Sequence, residues 1–154
     1  MTNLEHAPIT ERLFSSAHPL TMEVVETPDE GEQIRGLVAQ TGMDLADLPI
    51  ESWHNLFPYW IAAKRGDTVL GAVQCTPGRP VGRLELMCVE KELGDRERGR
   101  IVRALITQGM RVLQAQGSLV MTAMVSHQDK GFKRAMKKRG FKVLLTGSTL
   151  GRAL

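Results

Sequence analysis

The sequence predicts an α/β protein of the α+β type, built as one domain around a sheet. Two observations support this fold class. Apolar residues alternate in several short segments, as in half-buried strands, and recur every three or four residues in others, as in amphipathic helices. The chain of 154 residues is 42% hydrophobic and 24% charged, which suits a domain with a single core.

The segments follow one another in the order β-α-α-β-β-β-α-β-α-β. Residues 1–19 have little periodic hydrophobicity and are predicted to be an N-terminal arm, with one domain over residues 20–154. The predicted strands are Leu20–Thr27, Tyr59–Lys64, Val69–Thr76, Arg83–Val89, Leu119–Ser126 and Phe141–Thr146. The predicted helices are Gln33–Gln40 with Thr27 or Asp29 as N-cap, Asp47–Asn55, a long helix ending before Gly117, and Gln128–Arg139.

Composition excludes several classes of protein. No apolar run approaches the roughly 18 residues of a membrane span, and no leader of basic and then apolar residues opens the chain. Cys75 and Cys88 have neither metal-site nor redox spacing, and no cluster of zinc ligands occurs. No metal is therefore expected, and the predicted location is the cytoplasm.

Charge is divided unevenly along the chain. Residues 1–78 hold four Lys/Arg against eleven Asp/Glu, about −7, and residues 79–154 hold sixteen against six, about +10. In the most basic segment, helical spacing places five cations on one broad face: Lys130, Lys133, Arg134, Lys137 and Lys138. Such a face suits an acidic protein surface or nucleic-acid phosphates, unless the two halves of the chain neutralise each other.

One stretch, Gly82–Gln116, organises the functional hypotheses. It is predicted to be a strand, a turn rich in Arg and Gly, and a long amphipathic helix. A helix N-terminus presents unpaired N–H groups and partial positive charge to an anion above the turn. The stretch therefore predicts a site for a phosphate-bearing ligand, or alternatively the solvated basic start of a helix.

The order of elements over about residues 20–146 resembles the GNAT superfamily of acetyl-CoA-dependent N-acyltransferases. Three local patterns add to the resemblance: Asp67–Gly71, Leu86–Val89 before the turn, and Lys138–Phe141 at the end of the last helix. The resemblance implies a mixed, mostly antiparallel central sheet flanked by helices on both faces. It also implies acetyl-CoA as cofactor and an amine-bearing acceptor.

In the family, small residues after the strand let backbone N–H groups cradle the CoA pyrophosphate. The segment that matches best, Arg96–Ile101, departs from that pattern because Ile101 replaces the final small residue. Cationic side chains can compensate through charge-assisted contacts with phosphate. The residues that the resemblance assigns to the cofactor are Arg96, Arg98, Gly99, Arg100 and Ile101, with the backbone of Cys88 and Val89 at the thioester carbonyl.

Catalytic groups are assigned in the same way. Glu85 lies on the strand that carries the family's general base, although an exposed strand also holds glutamates without chemical roles. Met136 occupies the position of the usual tyrosine acid. Ser126 and His127 are the candidate substitutes. They lie at the end of their strand, where the resemblance implies a gap between two strands that admits the pantetheine arm. Cys88 is either turned toward the same gap or a buried structural thiol.

Two functions from different classes follow from these patterns. The first is an acetyl-CoA-dependent N-acyltransferase with an atypical pyrophosphate loop. The second is a catalytically inactive GNAT-like structural or interaction protein. A faint likeness to GNAT-like virion proteins of tailed bacteriophages, carried by Ser126-His127 and the basic helix, places the second alternative in a phage particle.

Overall fold

The structure, a computed structural model, describes residues 18–41, 59–123, 125 and 130–144. The predicted helix Asp47–Asn55 and nearly all of the predicted arm lie outside these residues. The chain divides into two compact units, Met1–Met124 and Val125–Leu154. The elements are β1 (Leu20–Val24), α1 (Pro28–Ala39), β2 (Tyr59–Arg65), β3 (Thr68–Thr76), β4 (Val81–Val89), α2 (Asp95–Ala115), β5 (Val120–Ala123) and α3 (Lys130–Lys137).

The described strands of the first unit form one five-stranded sheet in the order β1-β2-β3-β4-β5. Strands β1 to β4 pair antiparallel, whereas β4 and β5 pair in parallel. Short turns connect β2 to β3 and β3 to β4, while α2 provides the crossover that a parallel pair requires. The predicted mixed, mostly antiparallel sheet is thus confirmed.

Helix α1 packs on one face of the sheet. Its start is fixed by a capping box, in which Thr27 Oγ1 accepts from the Glu30 N–H and Glu30 Oε2 accepts from the Thr27 N–H. Thr27 is therefore the N-cap, one of the two predicted. The buried side of α1 joins a cluster of core residues from the sheet: Ile34, Leu37, Val38, Trp60, Ala62, Ala72 and Cys88.

Helix α2 packs on the opposite face. Gly71, the neighbour of Ala72 in β3, lies so close to Ile101 that an added Cβ would be 2.9 Å from its Cγ2 atom. A Cβ on Gly109 would likewise lie 2.6 Å from Leu84 Cδ2. Two glycines, one on the sheet and one on the helix, therefore let α2 approach the strands closely. The predicted arrangement with helices on both faces is confirmed.

The second unit contains the basic helix α3. Met136 is buried, whereas Phe132 and Ala135, also predicted to be buried, are half-buried. The prediction of a last strand over Phe141–Thr146 is wrong for its described part, since residues 141–144 adopt no strand. A strand needs a neighbouring strand to satisfy its backbone groups, and the alternation of apolar residues in a single segment does not supply one.

Candidate functional site

The antiparallel ladder between β3 and β4 is interrupted just after Glu85. Ala72 pairs with Cys88 and Gln74 pairs with Glu85, so β4 has one residue more than β3 between these two pairs. This is a β-bulge, and within it Leu86 has a φ of +48°. Left-handed backbone at a residue with a Cβ costs about 1–3 kcal/mol, and such strain concentrates at functional sites.

The bulge coincides with the end of the parallel pairing between β4 and β5. Their register runs from Val81↔Val120 to Leu84↔Ala123 and includes no later residue of β4 among those described. Beyond the bulge, Glu90 donates its N–H to the Leu70 carbonyl at 2.9 Å. Because N–H groups alternate in direction along a strand, the N–H of Val89 points away from β3. The end of β4 thus presents an edge that β5 does not cover in the described part of the chain.

Glu85 lies at the start of this uncovered edge. Its carboxylate accepts a hydrogen bond from Thr76 Oγ1 at 3.1 Å and lies 3.7 Å from Arg83 Nε. The side chain is 26% exposed, so solvent or a bound molecule can reach it. Glu85 is therefore a carboxylate held by one hydrogen bond and partly open to solvent, and its role as a base remains a prediction.

Cys88 is turned into the protein and does not face the uncovered edge. Its side chain is 3% exposed, belongs to the core beneath α1, and donates to the Ala72 carbonyl at 3.7 Å. Burial raises the pKa of the Cys88 thiol to about 12, against the smaller opposing effect of that hydrogen bond. Of the two alternatives, the structure favours a buried structural thiol, and only the backbone of Cys88 remains near the site.

The turn after β4 satisfies its own backbone donors. The N–H of Lys91 donates to Gln40 Oε1 at 3.2 Å, and that of Glu92 donates to Glu90 Oε1 at 3.2 Å. Gln40 Nε2 also donates to Glu90, at 3.1 Å. These groups are therefore occupied by side chains from the chain itself and are not available to an external anion.

The first backbone N–H groups after this turn that have no partner among the described residues lie at the N-terminus of α2. Gly94 is the N-cap, and the earliest helical bond runs from the Arg98 N–H to the Gly94 carbonyl at 3.0 Å. The N–H groups of Asp95, Arg96 and Glu97 precede that bond and have no partner among the described residues. These three groups can bind an anion, but two of the three residues are acidic.

This geometry differs from the predicted cradle over Arg96–Ile101. From Arg98 onward the backbone N–H groups lie within the helical bonding of α2 and are not free for phosphate. Ile101 is fully buried against Gly71 and is a core residue. Of the predicted set, Arg96 alone contributes an open N–H group, while the side chains of Arg96, Arg98 and Arg100 are exposed. Gly99 lies inside the helix, with only Arg103 Nη1 near the position of an added Cβ.

The remaining candidates are placed less fully. Ser126 and His127 lie outside the described residues, so their catalytic roles remain predictions. Two relevant residues of β3, Gln74 and Thr76, were missed at the level of sequence, although each is polar in an otherwise apolar strand. The sequence also did not predict that the acidic residues Asp95 and Glu97 form the first turn of α2. A Gly-Asp pair followed by Glu is a recognisable helix start.

The described part of the chain lacks two kinds of feature. No group of three or more His, Cys, Asp or Glu side chains is arranged to hold a metal ion there. None of the helices described above has both the length and the apolar character needed to cross a bilayer. The five cations of the basic segment, from Lys130 to Lys138, are exposed.

Comparison with known proteins places the fold. No protein-family model and no curated protein matches the chain. Among solved structures, an aminoglycoside acetyltransferase from an uncultured soil metagenomic sample, in complex with sisomicin, aligns with a TM-score of 0.70 at 14% identity, over 88% of this chain and 96% of its own. The aminoglycoside N-acetyltransferase AAC(6')-Iy in complex with CoA aligns with a TM-score of 0.65 at 15% identity, over 88% and 97%.

A third neighbour is Ard1 from Thermoplasma volcanium, with a TM-score of 0.65 at 21% identity over 82% of this chain and 84% of its own. At such identities the likeness shows a shared fold. None of the three neighbours bears on the faint likeness to phage virion proteins, which remains a prediction.

Proposed function

We propose that this chain, which has the GNAT fold, is an acyl-CoA-dependent N-acyltransferase that acts on an amine-bearing acceptor. The observation that carries the proposal is the bulge at Leu86. Among the described residues, β4 pairs with β5 only before this bulge, and beyond it the N–H of Val89 is directed away from β3. An extended acyl-pantetheine arm can pair with such a strand edge as a further strand would.

Each reacting group then has a named protein partner. Acetyl-CoA, when bound, supplies an acyl group activated as a thioester. The N–H of Val89 is available to donate to the thioester carbonyl and so to stabilise negative charge as it develops there. Glu85 accepts the proton released by the acceptor amine, and Thr76 holds its carboxylate in place. An amine acceptor agrees with the neighbour whose complex contains sisomicin.

Binding of the donor's pyrophosphate at the start of α2 has weaker support. The open N–H groups of Asp95, Arg96 and Glu97 suit an anion, but the carboxylates of Asp95 and Glu97 repel one. Arg65 offsets part of that repulsion through its ion pair with Glu97. We therefore infer that the pantetheine arm, rather than the pyrophosphate, provides most of the binding free energy of the donor.

Calorimetric titration tests this proposal. Acetyl-CoA should bind, and S-acetylpantetheine, which lacks the nucleotide and pyrophosphate, should bind within about tenfold of it, a difference of about 1.4 kcal/mol. Val89→Pro removes the donor at the uncovered edge while sparing the ladder to β3, because this N–H points away from it. The variant should keep the melting temperature and lose affinity for both compounds. No heat from either compound at millimolar concentration would overturn the proposal.

Acyl transfer itself is checked by release of the CoA thiol with sisomicin as the probe acceptor. Glu85→Gln keeps the shape and the hydrogen bond to Thr76 but removes the base, and should lower kcat by about 10²- to 10⁴-fold. Donor affinity should not change, because the arm is proposed to pair with the backbone N–H of Val89 and not with the carboxylate. An unchanged kcat would assign Glu85 to the exposed strand face and not to catalysis.

A further inference from the structure

A buried amide next to the proposed base carries a donor that packing alone does not explain. Gln74 is 1% exposed, and its Nε2 atom has no hydrogen-bond partner among the described residues. Leaving a buried donor unpaired costs about 1–3 kcal/mol, so groups of this kind in native proteins call for an explanation. A hydrophobic residue of similar volume would avoid that cost.

The position of Gln74 in the sheet supplies the explanation. It pairs with Trp60 of β2 on one side and with Glu85 of β4 on the other, so all three side chains share one face. Side chains opposite each other in an antiparallel pair have Cβ atoms about 4.5–5.5 Å apart. Thr76, two residues along β3, lies on the same face and already donates to Glu85. The unpaired donor is therefore a direct neighbour of the proposed base.

We propose that Gln74 is a positioning residue, whose Nε2 group holds a water molecule that links the acceptor amine to Glu85. This inference rests on the proposed function. The water accepts a hydrogen bond from Nε2 and donates one to the Glu85 carboxylate. As the acceptor ammonium passes a proton to the water, the water passes one of its own to Glu85. The amine keeps the electron pair for attack on the thioester, and Gln74 itself exchanges no proton.

Burial explains why a water is the partner and not the acceptor itself. An amide that is 1% exposed presents almost no surface to an incoming molecule, whereas the Glu85 side chain is 26% exposed. A single water needs no such surface, because it can be enclosed together with the groups that bind it. Buried waters need two to four polar partners, which Gln74, Glu85 and the acceptor amine supply.

The first test is structural and needs no substrate. A crystal structure of the full chain at about 1.5 Å or better should show an ordered water within hydrogen-bond distance of both Gln74 Nε2 and the Glu85 carboxylate. The same water should be missing in Gln74→Met, which keeps the volume and removes the donor. An Nε2 atom paired with another protein group, or with nothing, would overturn the inference. Because this result does not depend on acetyl-CoA, its failure is separate from failure of the proposed function.

The second test separates positioning from a structural role. Gln74→Met should keep the melting temperature, since the Nε2 donor that it removes has no partner among the described residues, and should keep KM for acetyl-CoA while kcat falls at least about tenfold. In the Glu85→Gln background the same substitution should have no further effect on kcat, because the two residues act on one proton. A lower melting temperature with unchanged kcat would contradict the proposal.

Discussion

Arg65 and Glu97 form an ion pair at the N-terminus of α2, with 2.7 Å between Arg65 Nη2 and Glu97 Oε1. The pair connects the end of β2 to the first helical turn and places a carboxylate beside the open N–H groups at the start of α2. The positive end of α2 is therefore partly neutralised by the protein itself.

Removing that carboxylate should strengthen donor binding. Glu97→Gln takes one negative charge from the helix N-terminus, where it repels phosphate. A charge in this position contributes about 0.3–1 kcal/mol, so the Kd for acetyl-CoA should fall about two- to fivefold. The Kd for S-acetylpantetheine should stay the same, since this compound has no pyrophosphate. Calorimetric titration measures both.

The matched control is Glu32→Gln, which removes the same charge from the exposed surface of α1, where Glu32 pairs only loosely with Arg35 at 3.5 Å. It should not change either Kd. Equal or weaker binding of acetyl-CoA to Glu97→Gln would show that phosphate does not bind at the start of α2.

Close approach of α2 to the sheet gives a prediction about stability. In Gly71→Ala the new Cβ would lie 2.9 Å from Ile101 Cγ2 and 3.1 Å from the Cys88 carbonyl oxygen. Backbone cannot yield easily, so the free energy of unfolding should fall by about 1–3 kcal/mol. Urea unfolding followed by circular dichroism measures the change.

Gly99→Ala is the matched control because it adds the same methyl group where space is available. The nearest atom to the new Cβ is Arg103 Nη1 at 3.4 Å, at the end of a flexible side chain. Alanine is the better helix former, so this variant should gain about 0.5–1 kcal/mol. Equal stability of the two variants would mean that Gly71 does not set the distance between helix and sheet.

The fold was predictable from sequence because its signals are local. Alternation in the strands, the Thr27 cap and the stop at Gly117 each depend on a few neighbouring residues, and the structure contains all three. The bulge was not predictable, since Leu86 carries no preference for positive φ. It arises from how β3 and β4 pair, which is a property of the sheet and not of the segment.

The same distinction applies to the predicted cofactor loop. The spacing of the family motif predicts that Gly99 belongs to the phosphate cradle. The helix instead begins at Asp95, because Gly94 and the acids after it form a good helix start. Glu85 could be proposed from the sequence because an acid on a strand is visible there. Its neighbour Gln74 could not, because only the register between β3 and β4 brings the two together.

Stability at low pH should depend on Glu30. Burial opposes ionisation of this carboxyl, but hydrogen bonds from Lys64 and from the N–H groups of Glu26 and Thr27 outweigh it and lower the pKa to about 2. The folded pKa lies below the ordinary value of 4.5, so the stabilisation is fully present above pH 4.5. It is lost as pH falls toward 2, by an amount on the order of 3 kcal/mol.

Urea midpoints measured between pH 7 and pH 2 check this dependence. Glu30→Gln should be less stable than the wild-type protein at pH 7 and should lose much of the decline below pH 4.5. Glu32→Gln, with a side chain that is 49% exposed, should follow the wild-type curve. If Glu30→Gln and the wild-type protein declined in parallel, another carboxylate would be responsible.

Both cysteines should be unreactive in the folded protein. Cys75 and Cys88 are 0% and 3% exposed, and burial raises the pKa of each thiol to about 12. At pH 8 about one thiol in 10⁴ is then ionised, and the thiolate is the reactive form. An aromatic disulfide reagent should therefore label no thiol in native protein over minutes and two per chain after addition of urea.

Cys88→Ala should reduce the number of thiols labelled in urea to one and leave donor binding unchanged, since Val89 contributes through its backbone. Rapid labelling of Cys88 in the native protein would show instead that this thiol opens onto the edge of β4, where it could carry the acyl group itself.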